Sequence, residues 1–591
     1  MSDKSNKYDW DLTELFKDKE DFYRAINIVS EKIETIKKYK GVLCNSSDNL
    51  YNCYKIYEDI LIDFDKIYSY GMFSYHLNMA DQDGIKLFKE VEKLSTNFGT
   101  AISFITPEIT SAEENVINKY INEDNRLEKY KRDIKDILEK KKHILSKEEE
   151  NLLASYSEVF SAPENIFDIL TNAEFKFGKL IDEDGKSVEM TDATYTKYLK
   201  SSNVEVRKQA FELMYKKYKE YINTITEIYL ANVKQTAITS KLRKYKSSLE
   251  KATVYDDSSI KVYEVLMQGV NEGININYSF IELKKKLLKK KEFHMYDLYV
   301  NPFEVKKDSI SFEDAKEEVK KALAILGEEY SQMLEKAFEN NWIDVYEKPN
   351  KRGGAYSSGV YGVHPFVLMS FTNNKRDVST IAHELGHSMH SYYSSKNQNI
   401  IDSNYTIMVA EVASTVNEIL LSEYQIKNET NKQKKAELIY EILEMIRATF
   451  YRQSMFAEFE KKVHEKIEKG EMLSAEDLNN IYYKLNQKYF GNSIHIDDEI
   501  KYEWARIPHF YSDFYVYKYA TGISAAICIA TKILNKEEGF VEKYINMLSQ
   551  GCTKKSIELL KMVDVDLENI NTYRIVSQYY KDKISELESL I

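Results

Sequence analysis

The scarcity of chain breakers constrains this sequence most, because 591 residues carry only six prolines and 19 glycines. Proline removes a backbone donor and glycine costs conformational entropy inside a helix, so long tracts of Glu, Lys, Leu, Ile and Tyr with few of either favour helices. Residues 205–242, 311–340 and 432–469 are such tracts, and Ser311-Phe-Glu-Asp314 reads as a capping box at a helix start. The fold class is predicted to be mainly α. Two short exceptions stand out. Residues 175–190 read as a β-hairpin turning at Asp184-Gly185, followed by a helix start at Thr191-Asp192. The glycine-rich stretch 353–362 leads into an apolar run, Pro365 to Phe371, which reads as a strand with a free edge open to an extended peptide. The hairpin marks the best domain boundary, near residue 190, dividing the chain into 1–190 and 191–591.

Directly after that strand comes Asp377-Val-Ser-Thr-Ile-Ala-His383-Glu384-Leu-Gly-His387-Ser-Met-His390. Val378, Ile381, Ala382, Leu385 and Met389 recur at helical spacing, which places His-Glu-x-x-His on a helix. Histidines four apart share a helical face, with Cβ atoms about 5–6 Å apart, so both imidazoles can reach one zinc ion at about 2.0–2.1 Å. Glu384 follows the first histidine and points near that ion without needing to bind it.

A catalytic zinc takes three protein ligands and keeps one position open for water. His390 shares the face of His383, but seven residues of helix carry it about 10 Å away. A third histidine six residues after His387 is ruled out, since Tyr393 stands there. A carboxylate from a second helix remains. The segment Tyr405 to Leu421 reads as that helix, with Glu411 and Glu418 seven residues apart among Met408, Val409, Val412 and Val416. Carboxylates in such surroundings are costly unless paired or bound to metal. Glu411 is therefore expected as the third ligand, and Glu418 as the acceptor that orients a ligand histidine. One Zn2+ per chain follows. Zinc would act as a Lewis acid toward water, with Glu384 as general base, and the reaction expected is hydrolysis of a peptide bond.

Together, His-Glu-Leu-Gly-His-Ser-Met-His and Ala-Glu411-Val-Ala-Ser-Thr-Val-Asn-Glu418 resemble the oligoendopeptidase F family, within the thimet-oligopeptidase-like zinc metallopeptidases. Asp9-Trp-Asp-Leu12, Tyr296-Asp-Leu-Tyr299, Gly353-Gly-Ala-Tyr356 and His509-Phe-Tyr-Ser-Asp-Phe-Tyr-Val-Tyr-Lys-Tyr-Ala-Thr-Gly522 extend the resemblance over essentially the whole chain. The resemblance implies zinc bound by His383, His387 and Glu411, with Glu384 polarising water. It implies that His509, Tyr515 and Tyr517 hold the substrate and its oxyanion, with Tyr511 in reserve. It also implies a helical N-terminal lobe closing a deep channel over the zinc-bearing lobe, and hence short unstructured peptides as substrates. Two departures are visible: the spacer between His509 and the tyrosines is short, and Ser370 stands where the family commonly has Asn.

Other readings find less support. A net charge of −12 argues against general nucleic-acid binding, and the basic run Lys284–Lys291 reads as the solvated face of a helix. The opening residues lack an apolar targeting core, and Ile523–Ala530, the most apolar run, is far shorter than the roughly 20 residues that span a bilayer. Cys44, Cys53, Cys528 and Cys552 show no metal-binding spacing and are too few for a disulfide scaffold, so a cytoplasmic location is expected. A non-catalytic peptide-binding protein would not need Glu384. A carboxypeptidase would need a group for the substrate's terminal carboxylate, and no arginine identifies itself for that role.

Overall fold

The computed structural model describes residues 7–303 and 309–591. Residues 1–6, part of the opening stretch read above as lacking a targeting core, lie outside them. By its internal contacts the chain divides into two units, each assembled from three separate stretches. The first comprises 1–142, 307–424 and 529–565, and the second 143–306, 425–528 and 566–591, so position 190 falls inside the second unit.

Five strands occur among the described residues. β1 (Lys179–Ile181) and β2 (Ser187–Glu189) form the expected antiparallel hairpin in the second unit. Its turn is closed by the Asp182 carboxylate, which accepts from the Asp184 and Lys186 amides, and by Gly185 at φ 75°. Thr191 then caps the helix Asp192–Leu199 as its sequence predicts. The first unit holds a sheet of β3 (Ile343–Tyr346), β4 (Tyr356–Ser358) and β5 (Phe366–Phe371) in the order β3-β5-β4. This corrects the expectation that the strand ahead of the histidine motif has a free edge. β5 is central, paired in parallel with β3 on one side and antiparallel with β4 on the other. The outer strands are β3 and β4, and β4, formed within the glycine-rich stretch 353–362, makes an antiparallel hairpin with β5.

The rest is helical. In the first unit the helices Lys19–Ile36, Ser47–Leu77 and Gln82–Ile102 are capped by Asp18, Ser46 and Asp81, whose side chains accept first-turn amides. Their apolar faces, including Phe22, Val29, Leu50, Tyr54, Leu87 and Val91, join in one core. The second unit is built on Val204–Glu220, Ile222–Leu242, Ile260–Leu287, Lys432–Ile446, Gln453–Glu468, Ala475–Phe490 and Ile570–Glu588.

Each of the three long tracts is helical and each is interrupted. Tyr221 (φ −111°, ψ 9°) leaves the helical basin between two helices, and Gly327 takes φ 96°, where a helix cannot continue. Arg447–Arg452 forms a π-helical turn, and its residues reach outward: Arg447 to Glu444 at 2.8 Å and Tyr451 to the Gly273 carbonyl at 2.9 Å. Apolar periodicity is insensitive to such one-residue shifts.

The basic run is also corrected. Lys286, Lys289 and Lys291 are exposed, but Lys284 is fully buried, donating to the Leu298 carbonyl at 2.5 Å and to Glu444 at 2.8 Å. Burial lowers the Lys284 amine to about 8, although Glu444 opposes this. Burial also raises the Glu444 carboxyl, but Arg447 and Lys284 outweigh it and hold the group at about 2. The segment Ile523–Ala530 is buried within the helix Tyr517–Leu534, and among the described residues no helix is long and apolar enough to cross a membrane.

Glu444→Gln should cost about 3–5 kcal/mol, read from urea unfolding, because Lys284 and Arg447 would keep buried charges without their carboxylate. Lys284→Met should cost less, since Arg447 still holds Glu444 and methionine fills the space.

Candidate active site

The helix carrying the two histidines runs Lys375–Asn397, beginning two residues before Asp377. Its start is fixed by a reciprocal cap: the Asn374 side chain accepts from the Asp377 amide, and the Asp377 carboxylate accepts from the Asn374 amide, both at 3.2 Å. The same carboxylate accepts from the Thr372 amide at 2.7 Å, tying the helix to the end of β5. Val378, Ile381, Ala382, Leu385 and Met389 are at most 1% exposed. Burying that stripe turns His383 and His387 to a common face, where their Nε2 atoms stand 3.2 Å apart.

The second helix, Ile407–Asn428, crosses this one at Gly386. A Cβ there would lie 2.5 Å from Ser414 Cα and 2.7 Å from the Ala413 carbonyl oxygen, both backbone atoms. Only glycine permits that approach. Buried Asn417 locks it by donating to the Ala382 carbonyl at 3.0 Å, while Tyr330 donates to Asn417 at 3.0 Å. As a result Glu411 Oε2 lies 3.4 Å from His383 Nε2 and 3.5 Å from His387 Nε2. One turn pair further on, Glu418 Oε1 accepts from His383 Nδ1 at 2.5 Å, and Ser379 donates to the other Glu418 oxygen at 3.1 Å.

These distances test whether an ion fits. Donors about 2.0–2.1 Å from a tetrahedral zinc stand about 3.3 Å from one another. The three measured separations, 3.2, 3.4 and 3.5 Å, form one face of such a tetrahedron and leave its fourth vertex to solvent. Two imidazoles and a glutamate also form a donor set used by catalytic zinc sites. The side chains of His383, His387 and Glu411 are 28%, 17% and 39% exposed, so the face is reachable from solvent.

Charge accords with this set. Hydrogen bonding to His387 outweighs burial and holds the Glu411 carboxyl at about 2, keeping it anionic. Burial raises the Glu384 carboxyl above its ordinary range, and the neighbouring histidines only partly offset this. His390 is excluded as a ligand by packing as well as distance: it is buried and stacked 3.6 Å from the Tyr405 ring. His364 is likewise occupied, stacked on Trp342 with Nδ1 2.7 Å from the Pro365 carbonyl.

The second predicted group is only partly brought together, within the second unit. His509 is exposed on the short 3-10 turn Pro508–Tyr511, with Tyr515 stacked beside it at 5.8 Å. Tyr517 is a correction. It is 0% exposed and its hydroxyl donates to Asp256 at 2.9 Å, so it belongs to the core. Tyr511 is buried against Phe167. The tyrosine that joins His509 is Tyr519, whose hydroxyl lies 3.3 Å from His509 Nε2 and whose ring is 5.4 Å from that of Tyr515. Tyr515 precedes the helix Tyr517–Leu534 and follows Phe514 at φ 54°, so its place beside Tyr519 is set by that turn and not by helical spacing.

Gly386→Ala should lower stability by about 1–3 kcal/mol, because the backbone of the facing helix cannot yield cheaply. Glu418→Gln should weaken divalent-metal binding at the donor triangle by about 10–100-fold, measured by competition with a chromogenic chelator, while leaving the fold intact.

The family profile described as Peptidase family M3 matches residues 197–575, and that described as Oligopeptidase F matches residues 108–177. Oligopeptidase PepF of Bacillus subtilis (strain 168) is 38% identical over 98% of this chain and 87% of its own length. An oligoendopeptidase F homolog of Borreliella burgdorferi is 36% identical, covering 98% of each chain. The crystal structure of oligoendopeptidase-F from Enterococcus faecium shares 30% identity at a TM-score of 0.74, covering 97% of this chain and 99% of that one. A crystal structure of a Chlamydophila abortus protein, 32% identical, matches at 0.94 and covers 100% and 99%. The chain therefore belongs to peptidase family M3, as a metallopeptidase of the oligoendopeptidase F group.

Proposed function

We propose that this chain is a zinc-dependent endopeptidase, holding one Zn2+ on His383, His387 and Glu411 and hydrolysing internal bonds of short, unstructured oligopeptides. The triangle of donor atoms between the two helices carries this reading, since it matches the face of a tetrahedral site with one vertex open. When bound, zinc supplies Lewis acidity toward water and a substrate carbonyl.

The remaining chemistry falls to the protein's own groups. Glu418 holds the proton on His383 Nδ1, which leaves Nε2 as the free donor. The Glu384 carboxylate takes a proton from the attacking water and passes it to the leaving amine nitrogen. An extended peptide pairs along the outer edge of β4, whose main-chain groups bind it without demanding particular side chains. Two side-chain contacts brace that strand. Ser357 Oγ meets Ser388 Oγ at 2.8 Å on the histidine helix, and the Tyr356 hydroxyl meets His76 Nδ1 at 2.8 Å. His509 and Tyr519, flanked by Tyr515, are the groups of the second unit chemically suited to donate to a carbonyl oxygen as it becomes an oxyanion. In this reading residues 1–190 limit access and residues 191–591 carry the chemistry. None of the four cysteines forms a disulfide, which accords with a cytoplasmic setting.

A peptide blocked at both ends and internally quenched separates the possibilities. Cleavage should be abolished by a chelator and restored by zinc, and Glu384→Gln should retain the metal while losing about 10²–10⁴-fold in kcat. A blocked peptide left intact while its free-ended counterpart loses C-terminal residues would indicate a carboxypeptidase instead. Tyr519→Phe should lower kcat by about 10²–10³-fold. Tyr517→Phe should leave kcat near wild type and cost about 1 kcal/mol of stability through the lost Asp256 bond.

A further inference from the structure

A second convergence of metal-ligating side chains lies in the second unit. The His495 amide donates to the Phe293 carbonyl at 2.6 Å, within a parallel bridge between His294 and His495. That pairing sets two imidazoles from distant parts of the chain side by side, ring centroids 5.0 Å apart. Asp497 follows two residues after His495, and in extended chain alternate side chains return to the same face. Its Oδ1 lies 2.8 Å from His294 Nδ1 and 4.0 Å from His495 Nε2. Its Oδ2 accepts from the Met295 amide at 2.8 Å, which aims Oδ1 at the two rings. The His294 ring lies flat on Tyr296, 4.8 Å between centroids and 6° between planes, so its orientation is set as well.

A structural His–Asp pair would account for His294 and Asp497 alone. It does not account for a second imidazole turned toward the same carboxylate oxygen. We propose that His294, His495 and Asp497 bind one divalent ion of the zinc, cobalt or nickel class, additional to the ion at His383, His387 and Glu411. Two imidazoles and one carboxylate suit those ions, whereas magnesium and calcium prefer all-oxygen surroundings. His294 and Asp497 are preformed, at 23% and 13% side-chain exposure. His495 is 65% exposed with Nε2 4.0 Å from Asp497 Oδ1, so it is the ligand that ion binding would have to draw inward. Solvent would complete the coordination, and an ion here would clamp residues 292–297 to 494–497. The 3-10 helix Asp498–Arg506 starts immediately after this clamp and leads to His509.

The test is the stoichiometry of Zn2+ and Co2+ binding to the whole chain, freed of metal by a chelator and titrated in a calorimeter. His495→Ala and His495→Gln should each bind one equivalent fewer than the wild type, keep cleaving the blocked peptide, and lose part of the zinc-dependent rise in Tm. His383→Ala should also lose one equivalent but retain the site at His495, so the two sites fail or survive separately. Equal stoichiometry in the wild type and both His495 variants would overturn the proposal, whatever happens at His383.

Discussion

The candidate active site depends on one close approach between two helix backbones. With no side chain at Gly386, the helix bearing Ser414 comes within a distance that any Cβ would forbid. That separation, rather than the length of the glutamate side chain, brings Glu411 Oε2 to 3.4 and 3.5 Å from the two imidazoles. The Asn417 bond to the Ala382 carbonyl fixes the rotation of one helix on the other, and Glu418 reaches His383 Nδ1 from the same face. Contacts outside the donor set thus decide whether the donors meet.

The site also concentrates charge, with Glu384, Glu411 and Glu418 around two histidines. Gathering three carboxylates, one buried and two partly exposed, is unfavourable unless cations or donors compensate. Glu411 is compensated by His387 and Ser414, and Glu418 by His383 and Ser379. Glu384 is the least compensated, which is why its carboxyl rises while that of Glu411 falls. A divalent ion at the donor triangle would relieve this imbalance, and a base near water is where residual proton affinity is useful.

Much of this was legible beforehand because it is local. Helical periodicity located both helices, the four-residue spacing of the histidines gave their shared face, and apolar surroundings marked Glu411 and Glu418 as unusual acids. Failures came where long-range packing decides. Lys284 looks like its neighbours in a basic run, yet Glu444, far along the chain, receives it in the core. Tyr517 and Tyr519 are equivalent by composition, and only the rotation of their helix sends one hydroxyl to Asp256 and the other to His509. β5 lost its supposed free edge because β3 pairs with it on one side and β4 on the other, a relation between segments that its own pattern does not encode.

By itself, then, the sequence determined a mainly helical fold, the two helices of the site and the faces they bury, and which side chains are chemically able to hold an ion and move a proton. These follow from backbone sterics and from side-chain spacing within a few turns. The tertiary structure alone decided how near the two helices come at Gly386, which tyrosine stands beside His509, which strand presents an edge, and that His294 and His495 are neighbours. Each of those is a relation between segments distant in the chain, set by packing and hydrogen bonds that no local pattern encodes.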